Sequence, residues 1–164
     1  METLRIDSQQ AKPALYAALT QQLRALVHGE PDTIANLANA ASLLFYSLPD
    51  INWAGFYLLK EDDMLVVGPF QGRPACVRIP VGTGVCGTAA ARRATVVVPN
   101  VHEFAGHIAC DSASNAEIVV PLMRDGRLIG VLDVDSPTFS RFDAQDQAGL
   151  EEFAAVLSSE VFGM

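Results

Sequence analysis

The chain has 164 residues, is 50% hydrophobic and 18% charged, and carries a net charge of −8; one domain of that length buries about 70% of its unfolded surface and needs no staples. An acidic chain without a Lys/Arg cluster argues against nucleic acid and anionic membrane surfaces as partners. The opening, Met1 to Pro13, is polar and lacks an apolar signal core, and no apolar run approaches the ~20 residues of a membrane span, so a cytoplasmic protein is expected.

The N-terminal third reads as two helices. Leu15, Leu19, Leu23, Leu26 and Val27 recur at three-to-four spacing, and His28-Gly29 stops the run. Asp32 and Thr33 cap a second stripe of Ile34, Leu37, Ala38, Ala41, Leu44, Phe45 and Leu48, which Pro49-Asp50 ends. The middle reads as strands. NWAGFYLLK and MLVVGPF flank the acidic turn Glu61-Asp62-Asp63 as a hairpin, and ACVRIP is a short strand. GTGVCGTAAARRA is a glycine-rich connection into a small-residue helix, with neither a dinucleotide fingerprint nor a P-loop lysine. TVVVPN, EIVVPLM and RLIGVLDVDS are further strands, the last two joined at Asp125-Gly126. Asp143 caps a final helix with Leu150, Phe153, Ala154, Leu157 and Val161 on its stripe. The order predicts an α+β fold, a single domain over 1–164, with N- and C-terminal helices packed on a central antiparallel sheet.

Three groups of residues carry candidate chemistry. Asp133 and Asp135 lie two apart on a strand, about 6.6 Å along it, on the face shared with Ile129 and Val131. The bland alternative is a strand leaving the core, with Asp135 capping the following turn. A three-residue loop, Arg124-Asp125-Gly126 with Gly126 left-handed, would put Glu117 directly opposite Asp133 on that face. Three converging carboxyls suit an ammonium group or a metal, or a site where one stays protonated as an acid. The few histidines make a hard-metal site the weaker option, and neither a metal nor a cofactor is expected. Trp53 and Tyr57 share a strand face, and Gly55 between them could leave a pocket floored by rings. Cys76, Cys86 and Cys110 form no Cys-x-x-Cys pair; three small buried hydrophobes are the plain alternative. Cys86, in a first helical turn, could have its thiolate favoured there, and His102 or His107 could lower a nearby thiol's pKa.

Four stretches, NWAGFY, GPFQGRPACVRIPVGTGVCGTAAAR, HIACDSASNAEIVVPL and IGVLDVDSPTFSRF, closely resemble the free methionine-(R)-sulfoxide reductases, small enzymes built on a GAF domain. The resemblance runs from about Asn36 to the C-terminus. It implies thiol-dependent reduction of free methionine (R)-sulfoxide, in the service of oxidative-stress repair. Cys110 would attack the sulfoxide sulfur, Cys76 would resolve as a disulfide, and Cys86 would be a third thiol of less uniform role. It further implies Glu117, Asp133 and Asp135 as the acidic cluster at the substrate, Trp53 and Tyr57 as the wall at its methyl group, and thioredoxin as reductant. Exposed amides of 111–116 would take the substrate carboxylate. The first helix's stripe is wide enough to pack on a second copy, so a homodimer is allowed. The competing class is a GAF sensor of a small molecule or of redox state, without turnover.

Overall fold

A computed structural model describes residues 6–162. Two helices, α1 (Lys12–Val27) and α2 (Thr33–Ser47), precede the strands β1 (Trp53–Lys60), β2 (Met64–Gly72) and β3 (Arg78–Pro80). Then follow α3 (Gly84–Arg92), β4 (Val96–Val98), β5 (Ala116–Arg124), β6 (Arg127–Ser136) and α4 (Ala144–Glu160). The six strands form one antiparallel sheet in the order β3-β2-β1-β6-β5-β4, the α+β arrangement expected.

Strand alternation sorts every side chain of the sheet onto one of two faces. Ala54, Phe56, Ile118, Val120, Leu122, Leu132 and Val134 pack beneath α1, α2 and α4 in one apolar cluster. Trp53, Tyr57, Val119 and Val131 face the other way, toward α3 and the loops. The α1 stripe offered above for a second copy is occupied within the chain, where Leu15, Leu19, Leu23 and Val27 belong to the same cluster as α4.

Caps and a buried charge network fix the helices. Asp32 accepts from Ala35 N at 2.8 Å, and Asp143 and Asp146 form a reciprocal capping box on α4. The fully buried Asp146 carboxylate also takes Lys12 Nζ at 2.6 Å, Tyr16 OH at 2.9 Å and Arg141 Nη1 at 3.1 Å, which ties α1 to the start of α4.

The β5–β6 hairpin differs from expectation. Its loop has two residues: Arg124 pairs with Arg127, with Asp125 at φ 48° and Gly126 at φ 74°, the left-handed pair of a type I′ turn. A bulge follows, where Met123 pairs with Leu128 but Leu122 with Gly130, leaving Ile129 extra. Glu117 therefore opposes Asp135, and Val119 opposes Asp133. The three carboxyls still share a face, because the bulge restores the parity that the shorter loop would have reversed. Ile129 does not share that face: it packs on the helix-side cluster, and Leu128 takes its place on the site side. Gly130 sits where a Cβ would meet Tyr57 O at 2.2 Å, so β1 can approach the bulge closely.

Candidate active site

Between the site face and α3 lies a pocket lined by Trp53, Tyr57, Cys86, Cys110, Glu117, Asp133 and Asp135, with His107, Arg73, Asp111 and Ser114 at its rim. All eight residues singled out in the sequence line this pocket or, as Cys76 does, bond to a residue that lines it. Cys76 and Cys110 are joined by a disulfide, with Cα atoms 5.7 Å apart, within the span a disulfide requires.

The aromatic wall comes from β1. Trp53 and Tyr57 stack at 5.9 Å between ring centroids, and Phe70 of β2 stacks on Trp53 at 5.1 Å. Gly55 leaves no pocket. A Cβ there would meet Phe70 Cβ at 2.2 Å, so the glycine lets β2 close against β1 beside the irregular register between Gly55 and Tyr57. The polar tips of both rings reach the arm that carries Cys76: Trp53 Nε1 donates to Arg73 O at 3.1 Å, and Tyr57 OH to Cys76 O at 3.0 Å. The strand predicted over ACVRIP contracts to Arg78–Pro80; ahead of it, the Cys76 carbonyl bonds the Tyr57 side chain in place of a neighbouring strand.

The acidic floor comes from β5 and β6. Glu117 and Asp133 are buried, and one Asp133 oxygen, Oδ1, has no hydrogen-bond partner. Burial pushes the Glu117 carboxyl well above its usual range, and the charges of Asp133 and Asp135 push it further. Burial does the same to Asp135, followed by Asp133 and Asp111. Asp133 rises to about 6 through burial, restrained by hydrogen bonding to Glu117 and Cys86. Asp133 is thus the most readily ionised of the three, and burial favours the protonated form of its neighbours. His107 Nε2 lies 3.7 Å from Glu117 Oε2, and burial, followed by the charge of His102, lowers the His107 pKa.

Cys86 is buried in α3, with Sγ 3.9 Å from Glu117 Oε1. Of the two readings of Cys86, simple packing holds and helix-terminus activation does not. Burial and the facing charges of Asp133, Glu117 and Asp135 raise its pKa well above normal, outweighing the helix N-terminus. Donor atoms of Cys86, Glu117 and Asp133 lie within 4.8 Å of one another, a spacing an ion could bridge only by displacing the protons that the thiol and Glu117 hold.

The Cys110 loop is closed by two bonds of its own and by one to the end of β6. Asp111 Oδ1 takes Ala113 N at 2.9 Å, Asp111 O takes Ser114 N at 3.2 Å, and Asn115 N donates to Ser136 O at 2.8 Å. Those three amides are therefore engaged, which narrows the expected carboxylate-binding amides to the remainder of 111–116. Asn52, unnoticed in the sequence, holds this loop. Its Nδ2 reaches Asp111 Oδ2 at 3.3 Å and Ser114 Oγ at 3.1 Å, and its backbone N donates to Asp135 O at 3.0 Å. Its place just before Trp53 is the only sequence signal it offered. His102 instead bonds Asn115 at 2.8 Å, outside the pocket.

The GAF-domain family model matches residues 15–161. The free methionine-R-sulfoxide reductase of Escherichia coli is 57% identical over 146 residues, 89% of this chain and 88% of that protein. The crystal structure of the Neisseria meningitidis free methionine-R-sulfoxide reductase in complex with its substrate superposes with TM-score 0.93, at 46% identity, over 98% of this chain and 95% of that one. A Burkholderia vietnamiensis structure described as a GAF sensor protein is 56% identical, with TM-score 0.90, covering 93% of this chain and 97% of that one. Likeness at this level, running through both the acidic hairpin and the cysteine segments, makes the chain a member of the GAF-domain family and, within it, of the free methionine-R-sulfoxide reductases.

Proposed function

We propose that this chain reduces free L-methionine (R)-S-oxide to L-methionine through a cysteine sulfenic acid and the Cys76–Cys110 disulfide. The observation that carries the reading is that disulfide, set at the edge of an aromatic-walled pocket whose floor holds carboxyls that burial pushes toward the protonated form. A sulfoxide oxygen leaves only when it receives a proton. Glu117, kept protonated by burial, supplies it, and Asp133, the most readily ionised of the three, attracts the substrate ammonium. The Cys110 thiolate attacks the sulfur of the protonated sulfoxide and an S–S bond forms. The hydroxyl then passes to the Cys110 sulfur as the S–O bond to substrate and the S–S bond break, the electron pair staying on the methionine sulfur, so that methionine departs reduced and Cys110 is left as a sulfenic acid. The Cys76 thiol then condenses with that acid, releasing water. An external dithiol, thioredoxin by expectation, returns both thiols. Cys86 acts through Glu117: a neutral thiol at 3.9 Å helps hold that carboxyl without competing as a nucleophile. Trp53 and Tyr57 enclose the methyl group. Reading both charged groups of a free amino acid explains why a peptide-bound sulfoxide would be refused.

The test is a single turnover. Reduced protein mixed with free (R)-sulfoxide should form one methionine per chain without added reductant, and Cys110→Ser should form none, a loss of at least ~10³-fold. Full activity of Cys110→Ser would overturn the assignment. A sensor that binds a small molecule without turnover is the competing reading, and substrate binding without any methionine formed would establish it instead. Among the described residues no helix is long and apolar enough to cross a membrane.

A further inference from the structure

The arm that carries Cys76 lies between two strands. β2 ends at Gly72, and sheet bonding resumes where Val67 N donates to Val77 O at 3.0 Å. Between these anchors the chain runs Arg73-Pro74-Ala75-Cys76, and Pro74 has no N–H to give. Two of its carbonyls are held from below, Arg73 O by Trp53 Nε1 and Cys76 O by Tyr57 OH. The donors are rigid, because both rings are stacked on each other and nearly fully buried. The Tyr57 phenol sits among four acidic groups, Asp133, Cys86, Asp135 and Glu117. Its hydroxyl nevertheless bonds the backbone of the cysteine. Burial and these neighbours raise its pKa, so the donor proton stays in place wherever the thiols ionise.

We propose that the Tyr57 hydroxyl is a positioning group for the disulfide-forming step: by holding Cys76 O it keeps the Cys76 thiol aimed at the place where oxidised Cys110 arrives. The inference rests on the thiol roles given above and adds a division of labour between the two segments. The Cys76 arm is held by side chains of the sheet. The Cys110 loop is closed by its own turns and by Asn52, and it supplies the approach. In the step itself the Cys76 sulfur attacks the Cys110 sulfenic sulfur. An S–S bond forms and the S–O bond breaks. The sulfenic sulfur is reduced, the Cys76 sulfur is oxidised, and the hydroxyl leaves with the Cys76 proton as water. Reaction geometry of this kind tolerates little misalignment. Loss of one neutral hydrogen bond should slow the step about 3- to 10-fold.

Tyr57→Phe keeps the ring and removes the bond. Reduced wild type and variant are mixed with excess (R)-sulfoxide and no reductant, and methionine, disulfide and dimedone-trapped sulfenic acid are followed in time. In the variant the ratio of the disulfide rate to the methionine rate falls about 3- to 10-fold, and trapped sulfenic acid rises. In a Cys76→Ser background, adding Tyr57→Phe leaves the sulfenic acid lifetime unchanged, because the step it assists is gone. Trp53→Phe, which cuts the bond to Arg73 O, should lower the same ratio and carries the test if Tyr57→Phe does not fold. An unchanged ratio, or a longer sulfenic acid lifetime in the Cys76→Ser background too, overturns the positioning role alone. A disulfide still forming in Cys76→Ser overturns the thiol roles and this inference with them.

Discussion

Leu132 and Asp133 are neighbours in β6, both buried, and face opposite ways. The Leu132 side of the sheet is covered by α1, α2 and α4 and is apolar along all three central strands. The Asp133 side is also well buried, yet it holds three carboxyls, a thiol and an unpartnered Asp133 oxygen. Period-two alternation allows one sheet to do both. The helix face stabilises the fold, and the site face gives some of that stability up, since buried charge in a low-dielectric setting is unfavourable. The carboxyl pKa values follow from that: they are raised because ionisation there is costly, and a raised carboxyl is what a proton donor needs.

The comparison breaks most visibly at Leu132→Ala. A buried leucine truncated in a packed core loses about 2–5 kcal/mol, read as a lower denaturant midpoint, with chemistry per folded molecule preserved. Asp133→Asn should do the reverse. It removes a charge whose pKa stands at about 6 against an ordinary 3.8, so at pH 8 the variant should be more stable by about 1–3 kcal/mol. Its kcat/KM should fall about 10- to 100-fold through loss of a charge-assisted contact. A variant that is less stable at pH 8 and fully active would erase the distinction between the faces.

The same cluster sets a pH signature. Because the folded Asp133 pKa is raised, the folded protein binds more protons than the unfolded chain between about pH 4 and 6. Stability attributable to Asp133 therefore declines as pH rises through that window, and the penalty is complete above it. His107, with a lowered pKa, works in the opposite sense nearby. Asp143, lowered to about 2 beside Lys12, contributes stability that is lost only in stronger acid. The difference curve between wild type and Asp133→Asn isolates the cluster: it should grow from near zero at pH 4 to its full value by about pH 7. A flat difference would mean that Asp133 is not the ionising member.

Much of this was legible in the sequence. Helical stripes, caps and strand alternation placed the three long helices α1, α2 and α4 and put Trp53, Tyr57, Asp133 and Asp135 on consistent faces. The family motifs carried the cysteine pairing, which no spacing rule supplies for residues 34 apart. What escaped were features that depend on a third element. The Ile129 bulge is invisible in a run where Leu128 and Ile129 are equally apolar. The fit of Gly55 against Phe70 belongs to a neighbouring strand. The Cys86 environment reversed a sound local argument, because β5 and β6 bring acids to the very helix end that would otherwise favour a thiolate. Asn52 opens the NWAGFY stretch, but nothing local marks it as the residue that holds the Cys110 loop.

The smallest effect tests whether the bulge or the turn sets the register of the acidic hairpin. Gly126 at φ 74° has nothing within 4 Å of a would-be Cβ, so Gly126→Ala meets only the left-handed backbone penalty of about 1 kcal/mol. If the register is held mainly by the turn, slippage would move Glu117 away from Asp135 and off the site face, and activity would fall far more than stability. The continuous β1–β6 pairing from Trp53–Asp135 to Leu58–Gly130 argues otherwise. It locks β6 on its other side, and the close approach of Gly130 to Tyr57 O fixes the bulge beside it. Gly126→Ala should therefore lower the melting temperature by a few degrees, about 2–4 °C for a chain of this length, and leave the methionine burst at its wild-type rate.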